Sequence, residues 1–329
     1  MRYYLLLISL ALPVLLSAQR DSLPASILNG FENGFKFCTP VYCSAGVTNK
    51  SKGEGLLLQY GIREVGFSHS DSDAEATGYS ARISAKLKVP VVLRDDLKVL
   101  LGLNHARESF VFNDLTDQDN PRLLSSLSDK TLIASRLSLT AFKPFNDKYY
   151  FILRLGANYR GDYEQFINFD DRYAMYRGAA MVGWKVRDNL EYGLGALYSQ
   201  GFRNRVFLPF AFYNQTFNRR WGFEGYIPVN MKLRYNIDSN SLGLLGLEYN
   251  SIDYSVDLGG EGYFLRYDSI DLTLTYERNL GSWLWLRVKS GYRYPLGLDV
   301  GLLDSGGEVL DTYDETPGFY GRIGFFITP

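Results

Sequence analysis

The stretch Tyr149-Tyr150-Phe151-Ile152-Leu153-Arg154-Leu155-Gly156-Ala157-Asn158-Tyr159-Arg160 decides the fold. Phe151, Leu153, Leu155, Ala157 and Tyr159 share one parity; Ile152, Arg154, Gly156, Asn158 and Arg160 share the other. A period of two places successive side chains on opposite faces, so this is a β-strand with one apolar and one polar face. Two architectures use such a strand. In a soluble sandwich the apolar face meets a protein core and the polar face meets water. In a membrane barrel the apolar face meets lipid and the polar face lines a lumen.

The pattern recurs along the chain. One parity reads Ile83, Ala85, Leu87, Val89, Val91; Ile133, Leu137, Leu139, Ala141; Leu190, Tyr192, Leu194, Ala196, Tyr198; and Ile270, Leu272, Leu274, Tyr276. The other reads Arg82, Ser84, Lys86, Lys88; Arg136, Ser138, Thr140; and Asp271, Thr273, Thr275, Glu277. Strands are expected over 54–68, 77–93, 97–112, 129–145, 148–162, 172–187, 190–201, 205–216, 220–227, 230–237, 241–255, 263–279, 282–294 and 317–328. The short pair flanking Ile227-Pro228 either joins the wall or folds inward, which gives 12–14 wall strands. Alternation breaks around Asn104-His105-Ala106-Arg107-Glu108, where both parities mix.

Two kinds of connection alternate. Tight turns fall at Arg94-Asp95-Asp96, Phe145-Asn146-Asp147-Lys148, Arg187-Asp188-Asn189, Asn218-Arg219, Asp238-Ser239-Asn240 and Asn279-Leu280-Gly281-Ser282. Asn, Asp and Gly supply the side-chain-bonded or positive-φ conformations that hairpins need. Polar and usually longer connections fall at Ser68 to Thr77, Asn113 to Asp129, Gly161 to Asp171, Val256 to Gly262 and Leu296 to Thr316. A meander with short turns at one end and long loops at the other is the layout of outer-membrane barrels, their short turns periplasmic. Sandwiches use Greek-key crossings instead. The expected fold is therefore all-β: a transmembrane up-and-down antiparallel β-barrel over 53–329.

The start of the chain agrees. Met1-Arg2-Tyr3-Tyr4 is followed by an apolar run from Leu5 to Leu16 and by Ser17-Ala18-Gln19, the form of a secretory signal spanning 1–18. The apolar run falls short of the ~20 residues a spanning helix needs. Residues 19–52 lack alternation and read as a periplasmic lead-in or plug-like segment. They hold Cys38 and Cys43, the two cysteines of the chain, expected to form a short-loop disulfide in an oxidising periplasm. The net charge of −1 marks no nucleic-acid partner. Aromatics make up 15 % of residues, 25 of them Tyr, as interfacial girdles require.

Three segments carry a family likeness. Phe207-Leu208-Pro209-Phe210, the turn Thr216-Phe217-Asn218-Arg219-Arg220-Trp221-Gly222, and Ile227-Pro228-Val229-Asn230-Met231-Lys232-Leu233-Arg234-Tyr235-Asn236 resemble a segment of uncharacterised outer-membrane β-barrel proteins of the Bacteroidota. The resemblance implies an outer-membrane location and a barrel, and no activity. It also implies insertion by the barrel-assembly machinery, although Thr328 and Pro329 trail the last aromatic residues where such barrels end on one.

Several functions fit a barrel. A narrow porin-like channel or transporter for small solutes comes first. Arg154, Arg160, Lys232, Arg234, Arg287, Lys289, Arg293 and Arg322 fall on the expected lumen face, and basic rings favour anions. The competing reading pairs them with Glu191, Glu224, Glu248, Asp271 and Glu277 as internal braces. A structural or binding barrel displaying its loops comes second. The acid-rich stretches holding Asp114, Asp117 and Asp119, and Asp299, Asp304, Glu308, Asp311, Asp314 and Glu315, would meet cations bridged to lipopolysaccharide. A lipid hydrolase comes last: Ser109 shares the parity of His105 but lies about 13 Å along the strand, so a nucleophile would come from a neighbouring strand. No phosphate loop, zinc spacing or nucleotide fingerprint occurs, and neither cofactor nor metal is expected.

Overall fold

The computed structural model describes residues 47–51, 53–69, 74–116, 123–202, 205–281, 283–303 and 308–328. The expected signal segment, most of the lead-in and the Cys38–Cys43 pair lie outside these residues. Strands β1 (Leu56–His69), β2 (Glu75–Arg94), β3 (Leu97–Thr116), β4 (Thr131–Pro144), β5 (Tyr149–Gly161), β6 (Ala174–Arg187) and β7 (Leu190–Gln200) run in sequence. They continue through β8 (Arg205–Thr216), β9 (Trp221–Ile227), β10 (Asn230–Asn236), β11 (Ser241–Leu258), β12 (Glu261–Gly281), β13 (Leu284–Leu302), β14 (Asp311–Glu315) and β15 (Gly318–Ile327).

Each strand pairs antiparallel with its sequence neighbour, and β14 and β15 both pair with β13 and with β1, which closes the sheet. β14 and β15 are one wall strand interrupted at Thr316-Pro317, where proline has no ladder donor to give. The ring therefore has fourteen strands. The short pair flanking Pro228 stands in the wall, with β9 on β8 and β10 on β11.

The apolar parity faces outward. Ile83, Leu194 and Val91 are more than 60 % exposed, and Leu272, Leu274, Leu245 and Phe325 about half exposed, although all are mid-strand. So large an apolar belt on every side of a closed wall is a lipid surface. An aromatic belt follows it at the end with the short turns, in the contacts Tyr149–Trp184, Trp184–Tyr192, Tyr213–Phe223 and Trp221–Tyr235. The turns close as expected: Asn146 Oδ1 accepts from the amides of Lys148 and Tyr149, and Asn218 Oδ1 from those of Arg220 and Trp221.

The loop end departs from expectation in four places. β13 runs to Leu302, and β14 occupies part of the stretch expected as a loop from Leu296 to Thr316. The expected loop Val256 to Gly262 is a tight turn on Gly259 and Gly260, both at positive φ. A helix, α1 (Leu123–Asp129), lies inside the expected loop 113–129 and buries Leu123, Leu124 and Leu127. Tyr159 and Ile133, expected to face lipid, are buried beneath the 162–173 loop with Tyr163 and Tyr173.

That loop also explains the broken alternation near His105. His105 and Arg107 stand opposite Ala85 and Ile83, residues of the outward parity. Phe166 stacks on the His105 ring at 4.1 Å, and Arg107 Nη2 donates to the Glu164 carbonyl. Polar residues sit on the outer wall here because a loop covers them.

Candidate functional site

Inside the ring the chain builds three levels. At the loop end, an apolar cluster fills the bore: Phe67 from β1, Phe110 from β3, Tyr254 and Val256 from β11, Leu265 from β12 and Leu298 from β13, with α1 among them. Just beyond it β5 meets β11 across the ring. Gly161 pairs parallel with Ser255, and Asp162 Oδ2 accepts from the Asp257 amide (2.9 Å) and from Lys130 Nζ. A Cβ on Gly161 would lie 2.4 Å from the Ser255 carbonyl, so this close approach requires glycine.

The wall is incomplete beside that bridge. β9 covers β8 only from Ala211 to Thr216, and β10 covers β11 only from Leu242 to Glu248. One further bond, from the Tyr249 amide to the Val229 carbonyl, caps the hairpin. Above it, Arg205–Phe210 of β8 and Asn250–Tyr254 of β11 have no ladder partner on the facing side among the described residues. The result is a notch, with Phe210 and Tyr226 in ring contact at its edge (6.1 Å) and Phe207 70 % exposed beside it.

At the turn end, residues 47–51 and 53–55 cross the bore. The Thr48 amide donates to the Asp188 carbonyl (2.9 Å), and Thr216 Oγ1 donates to the Thr48 carbonyl (2.6 Å). Ser51 gives its amide and hydroxyl to Glu224 (2.9 and 2.5 Å), and Lys50 lies 3.5 Å from Glu191. Glu54 binds Arg287 on β13, with Lys86 of β2 lying 3.9 Å away. Burial works to raise the Glu54 carboxyl, but Lys86 and Arg287 outweigh it and hold it at about 2.

Between these levels lies the charged girdle. The eight basic residues singled out from sequence all stand on strands at lumen-face positions, and the structure divides them. Five meet acids. Arg234, fully buried, donates to Glu224 and to Thr216 Oγ1, both at 2.8 Å. Glu248 lies between Lys289 (2.7 Å) and Lys232 (3.4 Å). Arg293 binds Asp271 through two 2.8 Å bonds, and Arg287 Nε donates to Glu277 at 2.8 Å. Asp271 and Glu277 stand directly opposite Arg293 and Arg287 in the β12–β13 register, so cross-strand pairing alone places them together.

Three of the eight have no carboxylate within 4.0 Å among the described residues: Arg154, Arg160 and Arg322. Arg136 on β4 and Arg177 on β6 join them. Arg154 and Arg177 reach hydroxyls, on Thr140 (3.2 Å) and Ser199 (3.1 Å), and Arg136 reaches Asn158. Arg160 is buried, with Nη1 unpartnered. Asp253, whose charge reaches Arg160 and Arg177, is already held by two bonds from Arg266 (2.8 and 3.2 Å). Arg63 and Arg82, also missed as site residues, share Glu108, and Arg63 binds Glu315 besides.

Two sequence expectations look different in place. Glu315, assigned to an acidic loop, turns inward to Arg63, and Asp311 pairs with His69. His105 does meet a hydroxyl from the next strand, Ser135 Oγ at 2.9 Å. That hydroxyl donates to the Phe166 carbonyl, and the charged neighbour of His105 is Arg107, a cation where a triad needs an acid.

A closed fourteen-strand barrel with an apolar outer belt and a charged interior defines the class: a transmembrane β-barrel. Residues 62–295 match the family described as a domain of unknown function (DUF6268), and the chain belongs to that family. None of the curated proteins matches it. Among solved structures it is similar to an outer membrane channel from Pseudomonas putida F1, with 10 % identity, a TM-score of 0.41, and 89 % of this chain and 100 % of that one covered. It is also similar to the toluene transporter TodX of P. putida (9 %, 0.35, 83 % and 90 %) and to a Pseudomonas aeruginosa FadL homologue (10 %, 0.38, 83 % and 89 %).

Proposed function

We propose that the protein is an outer-membrane channel or transporter for small anionic solutes in a bacterium of the Bacteroidota. On this reading, residues 1–18 export the chain, the barrel-assembly machinery inserts it, and the short turns face the periplasm. One observation carries the choice of anions: Arg136, Arg154, Arg160 and Arg177 line adjacent strands with no acid partner among the described residues. A wall that presents uncompensated guanidinium groups attracts anions and repels cations.

Planar-bilayer recordings of the purified barrel under a KCl gradient test this. The expected reversal potential favours chloride, and Arg154→Gln with Arg177→Gln moves it toward neutrality. Cation selectivity in the unaltered protein would remove the anion preference, and bilayers that stay silent would remove the channel reading. A second reading, a closed structural or binding barrel that displays its loops against lipopolysaccharide, draws support from the apolar cluster filling the loop end. Silent bilayers would favour it.

A further inference from the structure

Beneath the apolar cluster lies a cavity of about 40 Å³. Arg63, Arg82, Arg293 and Arg322 reach it from four strands, and Tyr267 and Tyr320 line it with them. Its charge does not balance. The four guanidinium groups meet three carboxylates: Glu108 between Arg63 and Arg82, Glu315 on Arg63, and Asp271 on Arg293. Arg322 is left over. Its guanidinium lies over the Tyr320 ring at 4.9 Å, and its strand neighbour across the ladder is another cation, Lys289.

The hydroxyls of Tyr267 and Tyr320 supply an independent sign. Both side chains are more than nine-tenths buried, and both oxygens lack a hydrogen-bond partner. An orphaned buried hydroxyl destabilises the fold, and an uncompensated buried charge does so more strongly. A ligand that accepts from all three groups removes both penalties. The volume admits about three waters' worth of atoms, the size of a small oxyanion. Arginine matches such a group bidentately. Space for Arg322 is itself arranged: a Cβ on Gly61 would lie 2.6 Å from Arg322 Cγ.

We infer that this cavity is a binding site for a small oxyanion, held by Arg322 with the hydroxyls of Tyr267 and Tyr320. The inference deepens the anionic-solute reading by giving that solute a resting place within the barrel. Calorimetric titration of the detergent-solubilised full chain with inorganic phosphate, at constant ionic strength, tests it without requiring passage. One saturable site per barrel is expected. Arg322→Met should weaken it at least tenfold and Tyr267→Phe severalfold. Gly61→Ala, which keeps every charge but displaces the guanidinium, should weaken it as well. Arg94→Gln, an equal charge change at an exposed turn, should leave it unchanged. Migration of the heated and unheated barrel on a denaturing gel reports that each variant is folded. Absence of saturable heat from the wild-type chain, or equal binding by folded Arg322→Met, overturns the site. Saturable heat with silent bilayers keeps the site and removes the channel; conducting bilayers without saturable heat do the reverse.

Discussion

The two sides of the lumen use the same residue types to opposite ends. On β9–β13, each of Lys232, Arg234, Arg287, Lys289 and Arg293 has an acid within 3.5 Å. On β4–β6, Arg136, Arg154, Arg160 and Arg177 have amide or hydroxyl partners at best. The first side is a brace, in which each charge is cancelled where it stands. The second holds its charge uncancelled, which costs stability and is therefore the side where a solute has something to gain. Basic residues on a lumen face do not by themselves mean selectivity; what counts is whether an acid from the neighbouring strand has reached them first.

Stability measurements should separate the sides. The largest effect is expected from Arg234→Met. It leaves Glu224 buried without its cation, a loss of about 4 kcal/mol. Urea unfolding of the barrel in detergent would show it as a lower midpoint, and a midpoint within error of wild type would mean that β9–β13 is no brace. Next, Leu124→Ala in α1 opens a void in the loop-end cluster and should cost about 3 kcal/mol in the same assay. If it costs nothing, the cluster does not seal the bore. Arg154→Gln, on the exposed part of β5, should change the midpoint by less than about 0.5 kcal/mol while still altering selectivity.

A separate effect, read by pH, concerns the turn end. Folding depresses the Glu54 carboxyl from 4.5 to about 2. Its contribution is therefore fully present above pH 4.5 and is lost as pH falls toward 2. Protease sensitivity of residues 47–55 should rise across that window, and Glu54→Gln should make it insensitive to pH there. A window unchanged by the substitution would place the titrating group elsewhere.

Much of the fold could be read before the structure, because alternation and turn chemistry are local signals. Each of the fourteen wall strands has its counterpart among the fourteen alternating runs, most to within a few residues, although β13 runs on to Leu302 and the β14 part of the last wall strand was not read. β14 escaped because Asp311-Thr312-Tyr313-Asp314-Glu315 is short and acid-rich and is held by pairing with β1 and β13. Helix α1 escaped because Leu-Leu-Ser-Ser-Leu-Ser-Asp is stabilised by the bore it fills and hardly by its own propensity. The division of the girdle was out of reach for a different reason. Whether Arg293 meets Asp271, or Arg136 meets Asn158, is a question of register between strands, and periodicity within one strand does not fix it. The break at His105 was visible as an exception, but the loop that covers it comes from beyond the next strand.

The crossing of the bore by residues 47–51 and 53–55 has a consequence for how the chain is assembled. Ser51 and Glu224 are 173 positions apart, and Glu54 and Arg287 are 233 apart. Such contacts form late, because the loops they close are among the longest in the molecule. The segment leading into β1 is therefore seated only after β9 and β13 have taken their places. A barrel that stalls before β13 keeps that segment loose at its turn end, where a protease can distinguish the unfinished molecule from the finished one.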